Sequence, residues 1–127
     1  MAYIYDNPNP YGKKVGDCVI RAISRAMDMS WDAVATDLSM QMLAMKDLPN
    51  ADVVWGEYLK LNGFRKGHLP SPCPNCITIK EFCEWFPSGV YVVATGFHVV
   101  AVINGNYYDR EDTGDESLIY YWEKERH

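Results

Sequence analysis

A cysteine attacks a carbonyl only as its thiolate, and a free thiol with a pKa of about 8.5 is brought to roughly 3.5–7.5 by a helix N-terminus or a neighbouring imidazolium. Cys18 stands where the first of these acts. After Asp17, the residues Val19, Ala22, Ile23, Ala26 and Met27 fall at helical spacing, with Arg21, Ser24, Arg25 and Asp28 on the other face. The pattern predicts a half-buried helix capped by Asp17. Cys18 lies in its first turn, where unpaired N–H groups favour negative charge and can hold an oxyanion. His98 opens the most apolar strand of the chain, after Thr95, Gly96 and Phe97, so its imidazole belongs at a sheet rim, where a general base works. Downstream, Asn104-Gly105 predicts a tight hairpin turn that brings the stretch from Asp109 to Asp112 back beside His98. A two-residue turn sets Asp109 diagonally on the face of His98, and a three-residue turn sets Asp112 directly opposite; Asp109 is preferred. Either carboxylate would fix the imidazole tautomer and stabilise its cation. Each residue alone has a bland reading, a small buried thiol or a structural histidine. In this chain order they predict acyl transfer.

Several elements must position these groups. Pro, Gly and Asn fill DNPNPYGKKVGD, an irregular lead-in. Ser30 caps a second helix with a stripe of Trp31, Val34, Ala35, Leu38, Met42 and Met45, and Asn50 starts a third carrying Val54, Trp55 and Tyr58, ended by Gly63. A Pro-rich loop follows from His68 to Asn75. Thr78 and Glu81 match a capping box before Phe82, Trp85 and Phe86, a short fourth helix. Beyond Gly89, the runs VYVVAT, HVVAVI, NYYD and SLIYYW read as strands. Helices first and strands after, without alternation, predict an α+β fold in which N-terminal helices pack on an antiparallel β-sheet formed by the C-terminal half.

The chain has 127 residues, 48% hydrophobic and 13% aromatic, enough for one core, so residues 1–127 are read as a single domain. A formal charge of −5 and the absence of a basic stripe argue against nucleic acid as a partner. No stretch reaches the length of a membrane span, and MAYIYDNPNP lacks the features of a signal peptide, so a cytoplasmic protein with reduced thiols is expected.

Over most of the chain, NPNPYGKKVGDCVIRAISRAM, SWDAVATDL and GFHVVAVINGNYYDREDTGD resemble a family of small papain-like cysteine proteases of phages and bacteria. The resemblance implies a papain-like fold, akin to that of leader-peptide peptidases and amidases, acting on a peptide or protein substrate without a cofactor. It implies Cys18 as nucleophile, His98 as base, and Asp109 or Asp112 as the third member. It also implies Asn9, or Asn7, as an upstream amide near the oxyanion hole. An alternative of a different class is a catalytically silent domain of the same fold that binds or inhibits another protein. A metal reading competes as well. Cys73-Pro-Asn-Cys76 is a knuckle of the structural-zinc type, with Cys83 and His68 as further ligands, but it lacks a second close-spaced pair, so no metal is expected.

Overall fold

The computed structural model describes residues 2–69 and 77–125. Four helices, α1 (Cys18–Met27), α2 (Trp31–Met45), α3 (Asp52–Leu61) and α4 (Ile79–Trp85), accompany six strands. The strands are β1 (Ala2–Tyr5), β2 (Phe64–His68), β3 (Val90–Thr95), β4 (Val99–Ile103), β5 (Asn106–Asp109) and β6 (Leu118–Lys124). They form one sheet in the order β1-β5-β4-β3-β6-β2. All pairs are antiparallel except β1 with β5.

The α+β class is as expected, with two corrections to the architecture. The sheet is mixed rather than antiparallel, and it is not confined to the C-terminal half: β1 comes from the N-terminal segment and β2 from mid-chain, ahead of α4, and they form its two edges. Both are short, and Arg65, Lys66 and Gly67 disguise the second, so strand composition gave no sign of them. In addition, the helices do not share one face. Val92, Ala94, Val99, Ala101 and Trp122 pack with residues of α1, α2 and α3, while Tyr91, Val93, Val100, Val102, Tyr107 and Leu118 pack with Ile79, Phe82 and Cys83 of α4. Strand alternation sends neighbouring side chains to opposite faces, so a sheet apolar on both faces needs a layer on each.

Local signals explain most boundaries. The Ser30 hydroxyl accepts from the Ala33 N–H at 3.1 Å. Thr78 and Glu81 close their capping box, with bonds of 3.1 and 3.2 Å. Gly63, at φ 87°, follows the end of α3. The stripe on α2 is narrower than predicted: Val34 and Leu38 are buried, but Met45 is exposed.

Candidate active site

The nucleophile end begins with a departure from sequence expectation. Asp17 is the residue before α1, but its carboxylate does not cap the helix. It turns inward, where Oδ1 accepts from Arg21 Nε at 2.8 Å and Oδ2 accepts from the Trp31 indole at 2.9 Å. Arg21 and Ser24, assigned above to the polar face, are buried. An Asp at i with an Arg at i+4 is the spacing of a helical ion pair, and that was the signal available for this contact. With the carboxylate drawn away, no side chain caps the first turn that carries Cys18.

The base arrives on a hairpin. The Thr95 N–H donates to the His98 carbonyl at 2.8 Å, which closes a tight turn through Gly96 and Phe97 and leaves His98 just ahead of β4. The acid arrives on the next hairpin. Asn104 and Gly105 adopt φ values of 50° and 78°, and Ile103 pairs with Asn106 across them, so the turn is two residues long. That register selects Asp109. Its Oδ2 lies 2.5 Å from His98 Nε2, and it also accepts from Thr113 Oγ1 at 2.9 Å. Oδ1 accepts from Arg21 Nη1 at 2.7 Å and from the Arg110 N–H at 2.7 Å. The backbone of Asp109 is held too, since its carbonyl accepts from the Asp6 N–H and the Tyr3 hydroxyl at the parallel edge.

Asp112 is not the partner of His98. It accepts from the Tyr107 hydroxyl at 2.5 Å and from the Gly114 N–H, because the two-residue turn leaves it three positions past the strand pair. The upstream amide is a second correction. Asn9 Oδ1 accepts from the N–H groups of Tyr11 and Lys13, Asn7 braces the same loop, and neither lines the cleft over Cys18. Asparagine ties down a Pro- and Gly-rich turn with its own side chain, the local use for which it is favoured.

Electrostatics couple the three groups. The bond to Asp109, and then the bond to Cys18, raise the His98 imidazolium to a pKa of about 10 against the cost of burial. Burial alone would raise the Cys18 thiol, yet its hydrogen bond and charge interaction with His98, the Val99 N–H and the Arg21 cation bring it below its ordinary value. Asp109 is likewise buried, and His98 and Arg21 hold it down to about 2. Burial is graded along the chain: the His98 side chain keeps 21% of its surface and Asp109 only 3%, so the base meets solvent while its partner does not. Cys83 is the internal contrast, since burial in α4 pushes its thiol up to about 11 and makes it inert.

Cys18 and His98 open onto a cleft of about 450 Å³, lined also by Gly16, Arg21, Trp55, Arg110 and Tyr120. Trp31 and Trp55, placed by the sequence on the second and third helices with no role in the chemistry, divide: the first anchors Asp17 and the second walls the cleft. Cys73 and Cys76 lie outside the described residues. Among the described residues, no group of three or more His, Cys, Asp or Glu side chains could hold a metal; His68 sits on β2 and Cys83 inside α4. No described helix is long and apolar enough to cross a membrane. No family model, curated protein or solved structure matches the chain.

Proposed function

We propose that the protein is a cysteine hydrolase of papain-like type, cleaving a peptide or amide bond through an acyl-enzyme on Cys18. One observation carries this reading: a first-turn cysteine that lines the same cleft as a histidine whose Nε2 meets a buried aspartate at 2.5 Å. The layout also supports it, with the nucleophile on a helix laid against a sheet whose successive hairpins bring in base and acid.

The reaction would run from a thiolate–imidazolium pair. The Cys18 sulfur attacks the carbonyl carbon, and the oxygen that gains charge is held by the uncapped N–H groups of the first turn of α1. His98 gives its proton to the leaving amine as the C–N bond breaks, which leaves a thioester on Cys18. Water then attacks the thioester, its proton passes to His98, and the carboxylic acid product departs with the thiolate restored. Asp109 does not change its protonation; it orients the ring and stabilises the cation, as the buried acid of such triads does.

A mixed peptide library digested by wild type, Cys18→Ala and His98→Ala tests the proposal by mass spectrometry. New termini should accumulate with wild type only. Cleavage that survives Cys18→Ala would assign it elsewhere. A silent binding domain would instead yield no new termini with any of the three and would hold its partner unchanged in Cys18→Ser.

A further inference from the structure

The cleft over Cys18 runs on to a wall formed by the start of α3 and by β6, where Asn50, Asp52, Trp55 and Tyr120 line it. Charge along the cleft is unevenly compensated. Arg21 is held between Asp17 and Asp109, and Arg110 is engaged by the Val15 carbonyl at 3.0 Å and by Asp17 at 3.6 Å. Asp52 differs: its carboxylate forms no ion pair among the described residues. The wall behind it is rigid. Tyr120 stacks on Trp55 with centroids 6.2 Å apart, and Lys66 Nζ lies 4.4 Å from the Tyr120 centroid. Trp55 is 1% exposed, so it backs the wall from the core side rather than offering a free surface.

Geometry also says which part of a substrate this wall meets. A second hollow of about 430 Å³ lies across the Gly96-Phe97 tip, lined by His98, Glu111, Thr113 and Glu116 but not by Cys18. His98 faces both spaces, and the amine it protonates must leave on the side away from the sulfur. The acyl part of the substrate therefore stays with Cys18 in the first cleft. Neither Glu111 nor Glu116 forms an ion pair among the described residues, so the neighbouring hollow is acidic as well.

Resting on the cysteine-hydrolase reading above, we propose that Asp52 makes this wall an acyl-side subsite for a cationic side chain, the lysine or arginine of a basic peptide. The apolar stem lies along the Trp55–Tyr120 wall and the charged head reaches the Asp52 carboxylate. One exposed ion pair selects modestly, on the order of tenfold.

Peptidyl acyloxymethyl ketones test this without a known substrate. The Cys18 thiolate displaces the carboxylate leaving group, a C–O bond breaks as the thioether C–S bond forms, and intact mass reads the rate. Lysine, leucine or glutamate is placed in turn at the two positions next to the ketone. In wild type, lysine should exceed leucine by about tenfold at one of these positions, with glutamate slowest. The lysine-to-leucine ratio should fall toward unity in Asp52→Asn, and glutamate should overtake lysine in Asp52→Lys. Modification of Cys18 with no lysine preference, or a preference that survives Asp52→Asn, overturns the subsite and leaves the hydrolase reading intact. A Cys18 that resists all three probes and iodoacetamide alike removes both.

Discussion

Arg21 is the residue on which the site turns. Its guanidinium bridges Asp17 and Asp109, two carboxylates that are each almost fully buried, and it is buried itself. Arg21→Met would leave both acids without their cation, and breaking a buried pair in this way typically costs about 3–5 kcal/mol. Urea denaturation should show a loss of that size, whereas a loss below about 1 kcal/mol would mean that the carboxylates find other partners. The conservative Arg21→Lys should recover only part of it, because an ammonium has no fork to serve two acids at once. At this scale the sequence was legible where a residue type names its own chemistry. That Cys18, His98 and Asp109 come together was legible from helix start, strand start and turn length. Arg21, Asp17 and Trp31 were not, because a charged residue on a helix reads as solvated until its burial is seen, and Asn9 misled because an amide near a nucleophile has local uses too.

Two hairpins and one edge strand position the base and acid. The β4–β5 turn sets the register that puts Asp109, rather than Asp112, at His98. Gly105 sits at φ 78°, and a Cβ there would also meet the Cys83 carbonyl at 3.4 Å. Gly105→Val should therefore cost about 1–2 kcal/mol from the left-handed backbone alone. It should also weaken the His98–Asp109 coupling, seen as a lower His98 pKa by NMR titration. An unchanged His98 titration in a destabilised protein would show that register does not depend on this turn. The Asn-Gly signal was readable because it states its own backbone angles. β1 was not, although its Tyr3 hydroxyl and the adjoining Asp6 N–H hold the Asp109 carbonyl. A short parallel edge strand carries no turn that announces its partner.

The pH dependence of stability belongs to the whole molecule. His98 binds its proton more tightly when folded, so its contribution is complete below about 6.5 and is lost as pH rises through about 10. Asp109 is shifted the other way: its contribution is present above about 3.8 and is lost as pH falls through about 2. These two groups together predict the highest thermal midpoint between about pH 4 and 6.5, with a decline on either side. In His98→Ala the alkaline decline should be reduced; a midpoint curve identical to wild type above pH 7 would mean that His98 is not held as its partners imply. The α+β class was legible at this scale from the order of helices and strands. The second helical layer was not, because a seven-residue helix flanked by a loop does not state which face it covers, and only the doubly apolar strands hinted that both faces needed one.

The activated cysteine–histidine pair is tested most directly by the pH dependence of iodoacetamide alkylation, read cysteine by cysteine by mass spectrometry in wild type and His98→Ala. Cys18 should react selectively below about pH 7 while Cys83 stays inert, and in His98→Ala its midpoint should rise to about 8.5 or above. An ordinary thiol curve for Cys18 that is the same in both proteins would contradict the pair and the hydrolase built on it.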